Sequence, residues 1–292
     1  MTMKPLLVFF LTTLGVLAKP VLAPTNYPLA YFTERLAGDF ADILYEIPAD
    51  LDPAFWRPND AQISAIQKAD LIIMNGATYE KWAVTTSLPD DKIVDTTLAL
   101  ANVFIESENT ITHSHGKAGE HSHGGTAFTT WLDLSQANQQ AAAIRNALVA
   151  TYPAHADSIN QAYRKLEKDL LGLQAKLQKT AKSLKTKTYL ASHPVYQYFA
   201  RAYGLEIHSL AWEPEMELTK EALAQLTALQ KKHPSAKTFI WEGPPRPGHI
   251  PALEKIGLRS VVIAPTSHKS DPDTDFLQAM TKNLEALMLS GK

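Results

Sequence analysis

The chain has 292 residues, 45% hydrophobic and 20% charged, with a formal net charge of -2 and no cysteine. That is an ordinary globular composition, long enough for two domains of common size, and with a near-neutral balance and scattered basic residues nothing argues for a nucleic-acid partner. The missing cysteine removes thiolate metal sites, disulfide scaffolds and thiol catalysis together, leaving His, Asp and Glu as the strong ligand types.

Residues 1–18 place Lys4 ahead of an apolar run that ends in small residues, the order of a secretory signal. Cuts after Ala18 and after Ala23 both fit. The first is expected, because Pro24 would follow the second directly and residues 21–25 are wanted as a strand. The run is shorter than the roughly 20 apolar residues that span a bilayer, so the mature chain is expected to be soluble and exported.

Residues 21–23 read as a short buried strand, and Leu29, Phe32, Thr33 and Leu36 then recur at helical spacing until Gly38. Residues 43–47 supply a second strand, Asn59 or Asp60 caps a helix carrying Ile63, Ile66 and Ala69, and residues 70–76 form a third strand ended by Asn-Gly. This alternation points to a parallel sheet flanked by helices. A helical piece at residues 79–82 and a strand at 92–95 follow.

Residues 110–131 then interrupt the pattern. They carry His113, His115, His121 and His123 in two His-Ser-His pairs spaced by glycine. Neutral imidazole suits zinc, copper and nickel, and a Gly/Ser-rich run lets several rings reach one ion. The plainer alternative is a polar loop that holds metal only as an expression tag would.

Ser135 opens a helix running to about Tyr152. From about Ala154 to Ser183, Ile159, Tyr163, Leu166, Leu170, Leu173, Leu177, Ala181 and Leu184 recur every three or four residues without a proline. Such a helix is about 45 Å long, more than one small domain, so it is expected to bridge two lobes. Strand and helix signals alternate again from residue 189 to residue 289, giving a second α/β lobe. The fold class is therefore α/β, with two lobes, each a parallel sheet flanked by helices, joined by a long bridging helix. The expected division is a signal peptide at 1–18, a first lobe at 19–153 with the His-rich loop at 110–126, the bridging helix at 154–185 and a second lobe at 186–292.

Ligands of such sheets bind at the carboxyl ends of the strands. That rule nominates Asn26, Asn75, His193, Glu242 and the turn at 265–268 as cleft residues, and leaves His155, His233 and His249 as solvated surface. Trp212 and Trp241, each followed by a glutamate, are expected at the mouth of the second lobe.

In order and spacing the chain resembles the cluster A-I solute-binding proteins, the metal-binding subunits of bacterial ABC importers for zinc and manganese. The matching pieces are Thr25-Asn26-Tyr27-Pro28-Leu29, Arg57-Pro58-Asn59-Asp60, the run from Ala69 to Gly76, the His loop leading to Trp131-Leu132, the bridging helix, the run from Ser192 to Phe199, and Ile240-Trp241-Glu242. The resemblance implies a periplasmic monomer that captures Zn2+ as a transported ligand and delivers it to an ABC transporter permease in the inner membrane. It implies His193 and Glu242 as metal ligands. At two places where zinc members carry histidine, this chain has Asp52 and Thr129, and Ala264 stands where manganese members carry aspartate. One explanation is that Asp52 and loop histidines drawn from His113, His115, His121 and His123 rebuild the site; the other is a cleft that has lost its tight site. The first is expected, because tetrahedral zinc needs four N or O ligands. A periplasmic metal buffer or metallochaperone, or a relative taking Mn, Cu or Ni, is the alternative function. No His-Glu-x-x-His, Gly-x-Ser-x-Gly or phosphate-binding glycine loop argues for an enzyme.

Overall fold

The structure, a computed structural model, describes residues 18–48, 51–107, 112–115, 119–122, 125–212 and 216–290. Residues 1–17 of the expected signal segment, His123 and Glu213 lie outside the described residues.

The first sheet is built from β1 (Val21–Pro24), β2 (Asp42–Ile43), β3 (Leu71–Met74) and β4 (Ile93–Asp95), all parallel, in the order β2-β1-β3-β4. The centre of β3, Ile72 and Ile73, is fully buried, as an apolar run covered on both faces requires. Its flanking helices are α1 (Tyr27–Ala37), whose N-terminus is capped by the Asn26 side chain on Leu29 N–H, and α2 (Asp60–Lys68), opened by a capping box of Asn59 and Gln62. The second strand is shorter than residues 43–47. It pairs only with β1 at the sheet edge; Leu44 N–H makes a last bond to Leu22 O at 2.8 Å, and the chain then leaves the ladder to pack Ile47 against Trp56 and Ile66. The helical piece expected at 79–82 is a 3-10 turn at Lys81–Thr85.

Two antiparallel ribbons follow. β5 (Glu106–Ser107) pairs with β8 (Gly125–Thr126), and inside that base β6 (Thr112–His115) pairs with β7 (Gly119–Ser122), His113 being the register partner of His121.

Asp133 caps α3 (Leu134–Thr151) by accepting from Ser135 N–H at 3.0 Å. The next helix, α4 (Ala156–Ser183), has 28 residues and carries the expected stripe, from Ile159 to Ala181, on its buried side. It packs on α1 and α3 of the first lobe and on α5 (Gln197–Tyr203) and α8 (Phe276–Ser290) of the second, so one helix spans both. Each fully buried leucine of that stripe contributes roughly 1.5–3 kcal/mol.

The second sheet repeats the first. β9 (Thr188–Ala191), β10 (Glu206–Ser209), β11 (Thr238–Trp241) and β12 (Arg259–Val262) are parallel in the order β10-β9-β11-β12, with α6 (Lys220–Lys232) and α7 (His249–Lys255) as connections. A single hydrophobic core runs from Leu22 through α3 and α4 to Leu287, so the lobes share their packing. Trp212 and Trp241 are 2% and 0% exposed and pack in the second lobe's own core with Phe239, in tilted and edge-to-face contacts, not at its mouth, because burying these large rings removes much apolar area from water. His249 is likewise buried, its ring stacked on Trp241, and is not surface.

Candidate metal centre

In both sheets the crevice between the first and third strands is the point where the strand order reverses, and ligands of open parallel sheets bind there. In the second lobe these strands are β9 and β11. Ser192 N–H donates to Ile240 O at 2.8 Å and aligns their ends; His193 follows Ser192 directly, and Glu242 is the first residue after β11. His193 is 3% exposed. Its Nδ1 lies 3.7 Å from Glu242 Oε1. That is too long for a good hydrogen bond, but a nitrogen and an oxygen bound to one zinc ion stand roughly 3.3–3.5 Å apart, so a single cation fits between them with little movement. Beneath them Tyr196 donates its hydroxyl to Ile263 O at 2.7 Å. Burial first, and then the negative charge of Glu242, holds that phenol far above its ordinary pKa, so it stays a neutral donor.

The first lobe presents a polar cluster at the equivalent point. Asn26 and Asn75 are fully buried and face each other, Asn26 Nδ2 lying 3.5 Å from Asn75 Oδ1. Gln140 Nε2 donates to Asn75 Oδ1 at 3.0 Å, and Asn75 Nδ2 donates to Phe128 O at 3.1 Å. Both asparagines therefore hold the strand ends and the loop before Trp131 in place. Below them Glu80, missed by the sequence analysis, is 5% exposed and accepts from Asn75 N–H at 2.6 Å, Gly76 N–H at 3.1 Å and the Thr25 hydroxyl at 2.5 Å. Burial raises its pKa to about 7 although each of those bonds pulls the other way. No periodicity marks such a residue; only its place four residues after Gly76 hints at a turn-closing role.

The lobes meet in direct hydrogen bonds around this crevice. Thr129 Oγ1 donates to Val195 O at 2.6 Å, Trp131 Nε1 to Pro265 O at 2.7 Å, and Tyr27 N–H to Ser267 O at 3.1 Å. Thr129 thus sits beside the His193 segment, with its hydroxyl already engaged. Thr266, in the turn that receives two of these bonds, has φ +58°, a conformation costly for a β-branched residue and held by its surroundings. Ala264 is pinned to α8: its N–H donates to Asn283 Oδ1 and its carbonyl accepts from Asn283 Nδ2, both at 2.8 Å.

Of the residues expected from the sequence, His193 and Glu242 are together. Asp52 caps the turn Pro53–Phe55 through Ala54 N–H at 3.0 Å, and among the described residues it does not join them in a group of three close ligand atoms. His113, His115 and His121 lie in the β6–β7 ribbon.

A family model described as "Zinc-uptake complex component A periplasmic", ZnuA, matches residues 22–288. The chain belongs to this family. ZnuA-family relatives include the zinc-binding lipoprotein AdcA of Streptococcus pneumoniae, 26% identical over 275 residues, covering 91% of this chain and 54% of that protein. The high-affinity zinc uptake system protein ZnuA of Bacillus subtilis is 25% identical over 278 residues, covering 90% of this chain and 85% of that one. The chain thus spans about half the length of AdcA. Similar solved structures are the metal-dependent lipoprotein YcdH from Bacillus subtilis, with TM-score 0.79 and 22% identity over 94% of this chain and all of that one, and Zn(II)-bound AdcA from Streptococcus pneumoniae, with TM-score 0.78 and 22% identity over 94% of this chain and 58% of that one. These last two establish the fold.

Proposed function

We propose that the chain is the periplasmic solute-binding subunit of an ABC importer, that it takes up Zn2+ as cargo in the crevice between its lobes, and that it delivers the ion to the membrane permease. The observation that carries this reading is the buried pair of His193 and Glu242, 3.7 Å apart at the strand-order reversal of the second lobe, in a ZnuA-family chain. Relatives named for zinc binding and zinc uptake support the choice of metal. Among the described residues no helix is long and apolar enough to cross a membrane, which suits a protein that meets its permease from outside the bilayer. The role is stoichiometric binding without turnover.

Two protein ligands do not complete a tetrahedral site. We assign the remaining positions to Asp52 and to imidazoles of the ribbon between residues 112 and 123, which is rooted just before Thr129 and so beside the His193 segment. Metal titration against competing chelators, on untagged mature protein, tests this. His193→Ala is expected to weaken zinc binding at least about tenfold, about 1.4 kcal/mol. His155→Ala leaves it unchanged, since that ring stacks on Phe40 at 4.4 Å away from the crevice. Equal affinities for the two variants refute the assignment.

A further inference from the structure

A second group of metal-ligating side chains lies in the second lobe, away from the crevice. Glu206 and His208 are two apart on β10 and so point to the same face of the sheet. His233, which closes α6, comes onto that face: its ring stacks on His208 with centroids 3.3 Å apart and planes 19° from parallel. One ligand atom from each of Glu206, His208 and His233 lies within 4.8 Å of the other two. From this juxtaposition we propose that Glu206, His208 and His233 form a second site for a divalent transition ion of the kind imidazole favours, Zn2+ or Cu2+, independent of His193.

The donor set is two imidazoles and a carboxylate, a composition that binds zinc with a fourth position open to water. Ligand atoms on one such ion stand roughly 3.3–3.5 Å apart, so the three side chains need to close by only about 1.5 Å, within the reach of small rotamer changes. The frame is already set. Thr188 Oγ1 donates to Glu206 Oε2 at 3.1 Å, orienting the carboxylate, while Glu206 Oε1 lies 2.9 Å from His208 Nε2. His233 N–H is held by Leu229 O and Gln230 O, at 3.1 and 3.2 Å, which fixes the ring's point of attachment. An imidazole ligates through a ring nitrogen in its neutral form.

The site is remote from the crevice by topology. β10 is the edge strand, and Glu206 is the register partner of Thr188, at the opposite end of β9 from His193, so at least roughly 10 Å of strand separates them. The C-terminus of α6 likewise lies where β11 begins. An ion held there is exposed to solvent, exchanges readily, and neither blocks nor completes the cargo site.

The test is equilibrium dialysis of the mature full-length protein against buffered Zn2+, and separately Cu2+, with bound metal counted per chain. Wild type is expected to hold about one ion more than the His208→Ala/His233→Ala variant under the same conditions, and His193→Ala to keep that ion. Glu206→Gln is expected to weaken the extra ion at least about tenfold while preserving the stacked rings. Because wild type and variants carry the same His-rich ribbon, its ions cancel in the difference. Equal metal content in wild type and the double variant, with circular dichroism unchanged, overturns the proposal and leaves the cargo assignment standing. Loss of an ion only in His193→Ala also refutes it.

Discussion

Truncating Glu80 to alanine removes the acceptor beneath the first lobe's strand ends. Thr25 keeps a second acceptor, Ile73 O at 3.2 Å, but Asn75 N–H, fully buried, and Gly76 N–H, partly buried, lose theirs. The orphaned Asn75 donor costs about 1–3 kcal/mol and the part-buried Gly76 donor less. A second effect opposes this one and depends on pH. The folded-state pKa of Glu80 is about 7 against an ordinary value of 4.5. A group raised in this way gives its full stability below the ordinary value and loses it as pH climbs through the folded one. The difference of two and a half units at about 1.36 kcal/mol each is roughly 3 kcal/mol. Alanine has no proton to lose. Glu80→Ala should therefore be most destabilised below about pH 4.5, and its deficit should shrink by roughly 3 kcal/mol between about pH 4 and about pH 8.5, where wild type carries the cost of a buried charge. Urea unfolding of both proteins at the two pH values measures this, since every other titrating group is common to them. A deficit that stays constant or grows with pH refutes the reasoning.

Deleting residues 112–124 should weaken the tight zinc site itself, because the ribbon is assigned a share of its ligands. The β5–β8 ladder, with Ser107 opposite Gly125, keeps the base of the loop closed, so the lobe should still fold; unchanged tight affinity with loss of only weak extra ions contradicts the assignment. Gly76→Ala should destabilise by at least about 1–2 kcal/mol, read as a lower thermal midpoint, because φ is +77° and the added methyl would sit on the Asp95 carboxylate; an unshifted midpoint counts against that close approach. Mass spectrometry of exported protein should give a chain beginning at Lys19. A cut after Ala23 would remove most of β1, an interior strand whose Leu22 and Ala23 are buried, so a mature chain starting at Pro24 or at Met1 contradicts this.

The alternation of strands and helices, the cap at Asn59 and the buried stripe of α4 were legible from the sequence, because each depends on spacing or turn chemistry within a few residues. The edges of weak elements were not. β2 stops at Ile43 because its partner lies on one side only, and α7 forms where Trp241 and Leu253 pack, neither of which a local window records. The crevice was legible in part: the resemblance singled out His193 and Glu242, and the strand-end rule named them again, but their separation is set by β9 and β11 lying side by side. By the same rule Asn26 and Asn75 looked equivalent to them. Tertiary packing engages Asn75 with Gln140 and Phe128, and Asn26 caps α1 through Leu29 N–H and faces Asn75, so the two halves of the crevice differ in chemistry. His208 and His233 carried no motif at all. They meet because an edge strand and the end of the following helix close on the same face, and that convergence is decided by strand order and helix packing over distances along the chain at which sequence periodicity holds no information.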